Sequence, residues 1–512
     1  MANNIRWQFF VKWNNISFTE ETSRVISIDY DAKMAKPGAN AISSSGMVSR
    51  INVSLANFDG RYSSNNPNGF VYTSSGSYGK YLNREVYLDV SIDGGSNYFR
   101  IFSGVIVDIA ESAPKPRQPS LANIVCHDYS ALYMNRRVST TIESFASLYN
   151  NTSTEKDVIE QFLSDVGLTS SNWSLDSGIF IIPFAWMDDE SVIEEVWSIA
   201  NACGGWFYND IWDTSQPKFV YKNASHWNSQ TISTNNPNNV FVRSSGHFTD
   251  LEMNYDFAHL FKTVTTEWAG RKIDAEDVIW EPENRIVVPA NGTKTITAKF
   301  QYPIYQITTL DYGATTNGGL DISASVSHAL GTEYAQSVDI TFTNTHTTYA
   351  AVLRDVKLSG KAVIGGPDGE TKTQSSHSYW DTHAEKNKSI RSNIWIQTEA
   401  HSNILSKMYG NIHEAPAAYY SLKGIQGDPR RKLGQKVRIY DDATFDTTNE
   451  VGYIVELTAR ISKSGFRQDI VVVDSETLYD YIDSDPGYFI IDTNRISVDS
   501  SDSSTNRGRL FY

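Results

Sequence analysis

Cys126-His127-Asp128 places a thiol, an imidazole and a carboxylate side by side. Adjacent residues of a strand point to opposite faces, so Cys126 and His127 cannot form a nucleophile–base pair, and the plain reading is a strand with a buried thiol. His377, His383, His401 and His413 are candidate zinc ligands, but no fixed spacing or carboxylate motif joins them. Asp188-Asp189 and Asp441-Asp442 offer paired carboxylates of the kind glycoside hydrolysis uses. Nothing sets either pair across a cleft, and Asp188-Asp189 reads better as the acidic start of a helix. GSYGKY (Gly76 to Tyr81) lacks the spacing and the Ser/Thr of a phosphate loop. Asp59-Gly60-Arg61 could be an adhesion tripeptide or half a calcium loop, yet the further acidic residues and closing Glu of an EF-hand do not follow. H-E-x-x-H, G-x-S-x-G, C-x-x-C and G-x-G-x-x-G are absent. The expectation is a protein that is not an enzyme, with no catalytic residues, no cofactor and no metal.

The elements that would position these residues are mostly strands. In RINVSLANFDGRY, Ile51, Val53 and Leu55 alternate with Asn52 and Ser54, and the run ends in a corner. There Asp59 is expected to bond the local backbone and Gly60 to take positive φ. Arg61 is expected to fix the loop by an ion pair or to reach a neighbouring subunit. Val86, Leu88 and Val90 open a hairpin whose Asp93-Gly94-Gly95-Ser96 supplies the positive-φ positions of a tight connection. Residues 1–128 therefore read as a small barrel or sandwich.

Residues 129–235 change to an α+β pattern. Thr152 and Glu155 suggest a capping box before a helix whose face carries Val158, Ile159, Phe162, Leu163 and Val166, stopped by Gly167. A second helix starts at Asp188-Asp189, buries Val192, Val196, Ile199 and Cys203, and ends at Gly204-Gly205. WFYNDIWDTSQPKFVY follows as a hairpin. Residues 236–275 return to strands. Residues 276–390 have sandwich-like spacing, with a turn at Gly365-Gly366-Pro367-Asp368-Gly369. A strand and a helix occupy 391–409, and strands follow. From about 480 to 512 the chain is Asp/Ser-rich and expected to be an extended or disordered arm.

With 512 residues, two to four domains are expected. A net charge of −15 disfavours ordinary nucleic-acid binding. Two cysteines exclude a disulfide scaffold. No stretch reaches the ~18 apolar residues of a membrane helix, and the start MANNIRWQFFVKWNN is too short and polar for a signal peptide. A cytosol-like compartment, or release by lysis, is expected. The 28 Tyr, 23 Phe and 12 Trp favour strands and contact surfaces.

An ordered series of motifs resembles the tail hub, or baseplate hub, proteins of long-tailed bacteriophages. The first pairs V-x-L-x-N-x-D-G-R-Y with a hairpin ending F-x-G, carried here by Val53, Leu55, Asn57, Asp59, Gly60, Arg61, Tyr62, Phe102 and Gly104. IVCHDYSALYMNRRVST, with Asp128, is similar to the family's strand–Asp–helix step. The helix with Gly204 and Gly205 and its hairpin come next, then NYDFAHLFKTVTTEW, similar to the strand that starts a second barrel. SVDITFTNTHTTYAAVLRDVKLSGKAV resembles the family's β-insert. DPRRKLGQKVRIYD matches P-x-x-x-L-G-D-x-V at Pro429, Leu433 and Gly434, with Gln435 in place of the usual acid. The Ser/Asn run after Tyr62, where a Pro is usual, is a second departure. The similarity covers about 460 residues in order.

What the resemblance implies is a mainly β fold: two tail-tube-like β-barrels, a small α+β domain and a β-sandwich-like insert. The boundaries would be 1–128 for the first barrel, 129–235 for the α+β module, 236–275 with 391–478 for the second barrel, 276–390 for the insert and 479–512 for a C-terminal arm. The implied role is a structural virion protein. As a homotrimer it would form a pseudo-hexamer at the distal end of the tail, joining the tail tube or distal ring to tip or fibre proteins. It would touch the tape-measure protein and pass DNA without specific binding, after assembly in the host cytoplasm. The competing reading is a carbohydrate- or receptor-binding tail-tip protein, with Trp280 and Trp380 as candidate stacking residues. A cell-wall hydrolase is a third reading and has no motif.

Overall fold

The computed structural model describes residues 5–14, 16–33, 48–63, 66–71, 81–112, 120–149, 152–210, 218–225, 240–256, 260–374, 386–390, 393–412, 417–441, 449–463 and 465–474. The expected arm at 479–512, most of GSYGKY, Trp380, His377, His383 and His413 lie outside them. The described fold is mainly β with a few helices.

The largest element is a 13-stranded sheet built from both ends of the chain. Its N-terminal group includes Arg6–Val11, Val25–Lys33, Arg50–Ala56, Glu85–Ser91, Phe99–Ser112 and Leu121–Asp128. Its C-terminal group includes Val240–Val242, Asp250–Asp256, Ala417–Gln426, Lys436–Tyr440, Asn449–Ser462 and Gly465–Asp474. The two groups meet where Val25–Lys33 pairs antiparallel with Asn449–Ser462, from Ser27 opposite Ser462 to Lys33 opposite Glu456. Period-two patterning drives this sheet. Ile51, Val53 and Leu55 are buried while Asn52 and Ser54 are half-buried. Ile28, Val53 and Phe102 share one apolar core with Leu422, Ile461 and Val472 of the other group. Gly94 (φ 85°) and Gly95 (φ 97°) close the expected hairpin. Asp93 caps that loop by accepting from the backbone N–H groups of Ser96 and Asn97.

The α+β module holds helices Glu155–Asp165 and Val192–Ala202 against a three-stranded sheet. Two expected helix starts move. The N-cap is Thr154, boxed with Asp157, and not Thr152 with Glu155. Glu155 turns inward instead. The second helix begins three residues after Asp189, capped by the Ser191 hydroxyl, which accepts from Glu194 N–H. Ser and Asp cap about equally well, and it is Ser191 whose hydroxyl reaches the Glu194 N–H, while Glu194 and Glu195 fill the first turn.

Between the strand groups lies a second β region. Ala351–Gln374 is one 24-residue strand. Its first half pairs with Ile304–Thr315 and its second half with Thr263–Ile273. A three-stranded sheet of Gly292–Lys299, Val326–Tyr334 and Ser337–Asn344 closes over it around Val288, Ile340, Phe342 and Leu358.

Three expectations are corrected here. Gly365 to Gly369 is not a turn. It lies inside the long strand, where a register shift opposite Gly270 takes up Gly366 and Pro367. Proline is tolerated in a ladder at such a bulge. Strand Thr263–Ile273 pairs with the long strand, so it does not belong to the C-terminal group to which 236–275 was assigned. Residues 393–398 form turns rather than a strand, and the following helix, Glu399–Ile412, packs on Thr263–Ile273, with the Ser402 hydroxyl donating to Thr266 O at 2.8 Å. Trp395, Leu405 and Met408 join the core of the α+β module, not the large sheet.

Candidate functional site: the corner at Glu21 and the seam between strand groups

Strand Arg50–Ala56 leaves the sheet into a corner set by its own side chains. Asn57 is buried; its Oδ1 accepts from Tyr62 N–H at 3.0 Å and its amide donates to Ser63 Oγ at 2.9 Å. Gly60 sits at φ 67°. The Asp59 carboxylate accepts from Arg61 N–H at 3.2 Å and takes a two-pronged grip from Arg24 at 2.8 and 2.7 Å. That guanidinium, more than anything else, holds the Asp59 carboxyl down at about 2. Such geometry makes Asp59 a fastener. No cation is needed to hold it.

Beneath the corner, Glu21 is almost wholly buried. Its carboxylate accepts from Trp13 Nε1 at 2.9 Å, Tyr62 Oη at 2.6 Å and Arg61 Nη2 at 3.1 Å. Arg61 also lies 4.3 Å over the Phe70 ring. The expected ion pair of Arg61 is therefore within its own chain. Glu21, Trp13 and Arg24 were missed from sequence, since nothing local relates Glu21 to a residue 40 positions later.

The remaining residues of the sequence motifs divide between close packing and turns. Val53 and Leu55 are core residues, and Phe102 meets Tyr30 edge-on with centroids 6.5 Å apart. Gly104 lies where a Cβ would come within 2.1 Å of the His127 carbonyl oxygen. Asp128 is buried and accepts from the N–H groups of Ser49 and Ser130, and burial pushes its carboxyl up to about 6. Gly204 has φ 61° at the helix end, and a Cβ on Gly205 would meet Lys222 O at 2.7 Å. Pro429 follows Asp428 in a turn closed by Arg431 N–H to Asp428 O. Leu433 packs on the core, and Gly434 takes φ 76°. Gln435 closes the same loop from both ends of its amide. It accepts from Lys432 N–H at 3.1 Å and donates to Arg430 O at 3.2 Å, which a carboxylate in its place could not do.

The reactive-looking groups come apart. Cys126 is in the core with its thiol pushed far up by burial, while His127 faces the other side. His401 is buried, its Nε2 2.8 Å from Ala202 O, and burial lowers it to about 4. Asp189 lies at φ 51° with Arg137 at 3.4 Å. Asp441 is buried against Arg243 at 2.8 Å, and Asp442 lies outside the described residues. Among the described residues no group of three or more His, Cys, Asp and Glu could hold a metal ion. Trp280 is half-buried against the core of the second β region. The arrangement holds chain segments together.

No family model matches the chain, and no curated protein matches it in sequence. The fold is similar to solved phage tail proteins. One is the 43 kDa tail protein of prophage MuSo2 from Shewanella oneidensis, at 9% identity and TM-score 0.47, with 92% of this chain and 100% of that one covered. Another is a tail protein from Neisseria meningitidis, at 8% identity and TM-score 0.47, covering 93% and 98%. A type VI secretion component from E. coli, described as structurally similar to T4 phage tail proteins, covers 89% and 75% at 8% identity and TM-score 0.37.

Proposed function

We propose that this chain is a structural hub of a phage tail tip, acting by assembly rather than by chemistry. The observation that carries the reading is the seam: the N- and C-terminal strand groups lie side by side in one sheet over one core. Each group would correspond to one tube-like barrel. Three copies would then present six such units and match a hexameric tube or distal ring on one side and tip or fibre proteins on the other. The channel would pass DNA, and a net charge of −15 would keep phosphates from sticking. In this role the chain works in the virion, after assembly in the host cytoplasm and contact with the tape-measure protein.

Mass measurement of the purified full chain tests this. A stable trimer is expected. A monomer would overturn the hub, and a monomer that binds glycans would favour the receptor-binding alternative.

A further inference from the structure

A cleft of about 520 Å³ opens where the α+β module meets the long-strand sheet. Its walls include Tyr149, Phe184 and Trp268, and Arg271 and Lys272 line it as well. That volume is in the range of small-ligand sites. Tyr149 packs on the buried Phe184 ring, centroids 4.7 Å apart, so half-buried Tyr149 and Trp268 are the rings that face the cleft. The Gln397 amide braces this wall, accepting from Phe184 N–H at 3.0 Å and donating to Phe184 O at 2.7 Å.

Arg271 is the unusual member. Its Nε is buried with no hydrogen-bond partner, and its guanidinium lies 4.6 Å over the Trp186 ring. Neither Arg271 nor Lys272 forms an ion pair among the described residues. Arg24, Arg61, Arg100, Arg243, Arg430 and Arg460 each meet a carboxylate, and half-buried Arg438, which has no ion pair among the described residues, still donates to the Tyr440 hydroxyl; Arg271 has neither. Carboxylates are in excess in this chain, 59 acidic against 44 basic residues, so shortage does not explain the bare guanidinium. Burial lowers its pKa with no charged neighbour to restore it. A half-buried cation without a counter-ion is costly unless a ligand supplies one.

We propose that this cleft binds an acidic sugar, its carboxylate held by Arg271 and its ring stacked on the aromatic wall. A guanidinium fork suits a carboxylate. Glu399, which also lines the cleft, can accept from sugar hydroxyls. An acidic peptide fits less well. The backbone here is already committed, with Arg271 opposite Gly365, Lys272 opposite Ile364, and Ala269 N–H donating to Ile396 O at 3.0 Å. One edge of the strand is thus filled by the long strand and the other is met at Ala269, which leaves recognition mainly to side chains. The site stands independently of the trimer.

Calorimetric titration of the full chain with trigalacturonate, N-acetylneuraminate, the methyl ester of each and an Asp-rich hexapeptide tests it. Binding of at least one acid is expected, weakened at least about tenfold in its ester and in Arg271→Gln, as loss of a charge-assisted hydrogen bond gives. The acid-against-ester comparison on the unaltered protein keeps the test decisive if Arg271→Gln folds poorly. Absence of binding by both acids, equal binding of acid and ester, or binding of the peptide alone would overturn the proposal.

Discussion

Asp29 and Arg460 face each other across the seam, carboxylate to guanidinium at 2.9 Å, although 431 residues separate them. One position along, Ile28 lies opposite Ile461, and both are fully buried. The seam is thus an exposed ion pair laid over an apolar join, and the two layers differ in weight. Ile28→Ala is expected to cost about 2–5 kcal/mol by the cavity it leaves. Arg460→Ala is expected to leave the melting temperature almost unchanged, and most nearly so at high salt, because the pair is solvated and screened. Urea unfolding of both variants checks this; an equal loss in the two would refute the apolar join.

Removing the carboxylate at Glu21 strands three donors at once. Glu21→Ala is expected to lose about 3–5 kcal/mol, the cost of breaking a buried pair and leaving Arg61 without it. Tyr62→Phe removes one charge-assisted bond and is expected to lose about 1.5–3 kcal/mol. If Glu21→Ala unfolds at the same urea concentration as the parent, the buried hub contributes nothing.

The glycines rank by space as well as by φ. Gly60 has φ 67° with its nearest neighbours at 3.5 Å, so Gly60→Ala meets only backbone strain, about 1–2 kcal/mol. Gly104→Ala would drive a methyl into the His127 carbonyl at 2.1 Å and must move a strand. The larger loss is expected at Gly104, read as the difference in melting temperature.

Glu155 gives a pH signature. It is buried, and accepts from Ile179 and Phe180 N–H and from the Tyr221 hydroxyl. Burial still raises its carboxyl from 4.5 to about 7. The folded state therefore holds a proton that the unfolded state releases. Stability from this group is complete below about pH 4.5 and falls as pH rises toward 7. The change is about 3 kcal/mol, from the shift and 1.36 kcal/mol per unit. Asp128, raised to about 6, adds the same sign. In Glu155→Gln the decline of unfolding free energy between pH 4.5 and 7 should become shallower. An unchanged slope would mean that Glu155 stays ionised throughout.

Local pattern was legible in the sequence where one residue's neighbours decide its fate. The alternation of Ile51, Val53 and Leu55, the Asp93–Ser96 loop and the faces of both module helices follow from period and turn chemistry alone. Thr154 and Ser191 were displaced by two or three residues because several polar residues compete to cap each start. Pro367 misled because a bulge and a turn ask for the same residues, and only the partner Gly270 separates them. The seam, Glu21 and the bare guanidinium of Arg271 left no trace, since each depends on which distant segments meet. The family resemblance implied that 236–275 joins the C-terminal strands, and the pairing of Thr263–Ile273 with the long strand departs from that.

The seam also imposes a timetable on synthesis. Val25–Lys33 leaves the ribosome more than 400 residues before its partner Asn449–Ser462. At roughly 5–20 residues per second, that edge stays open for about 20–90 s. An open strand edge invites pairing with whatever other nascent chain is near. Asp29, Asp31 and Lys33 stand on this edge, with Asp29 and Asp31 about half exposed even once it is covered. Charged side chains on an open edge disfavour such pairing, and Arg460 and Glu456 arrive last to meet Asp29 and Lys33.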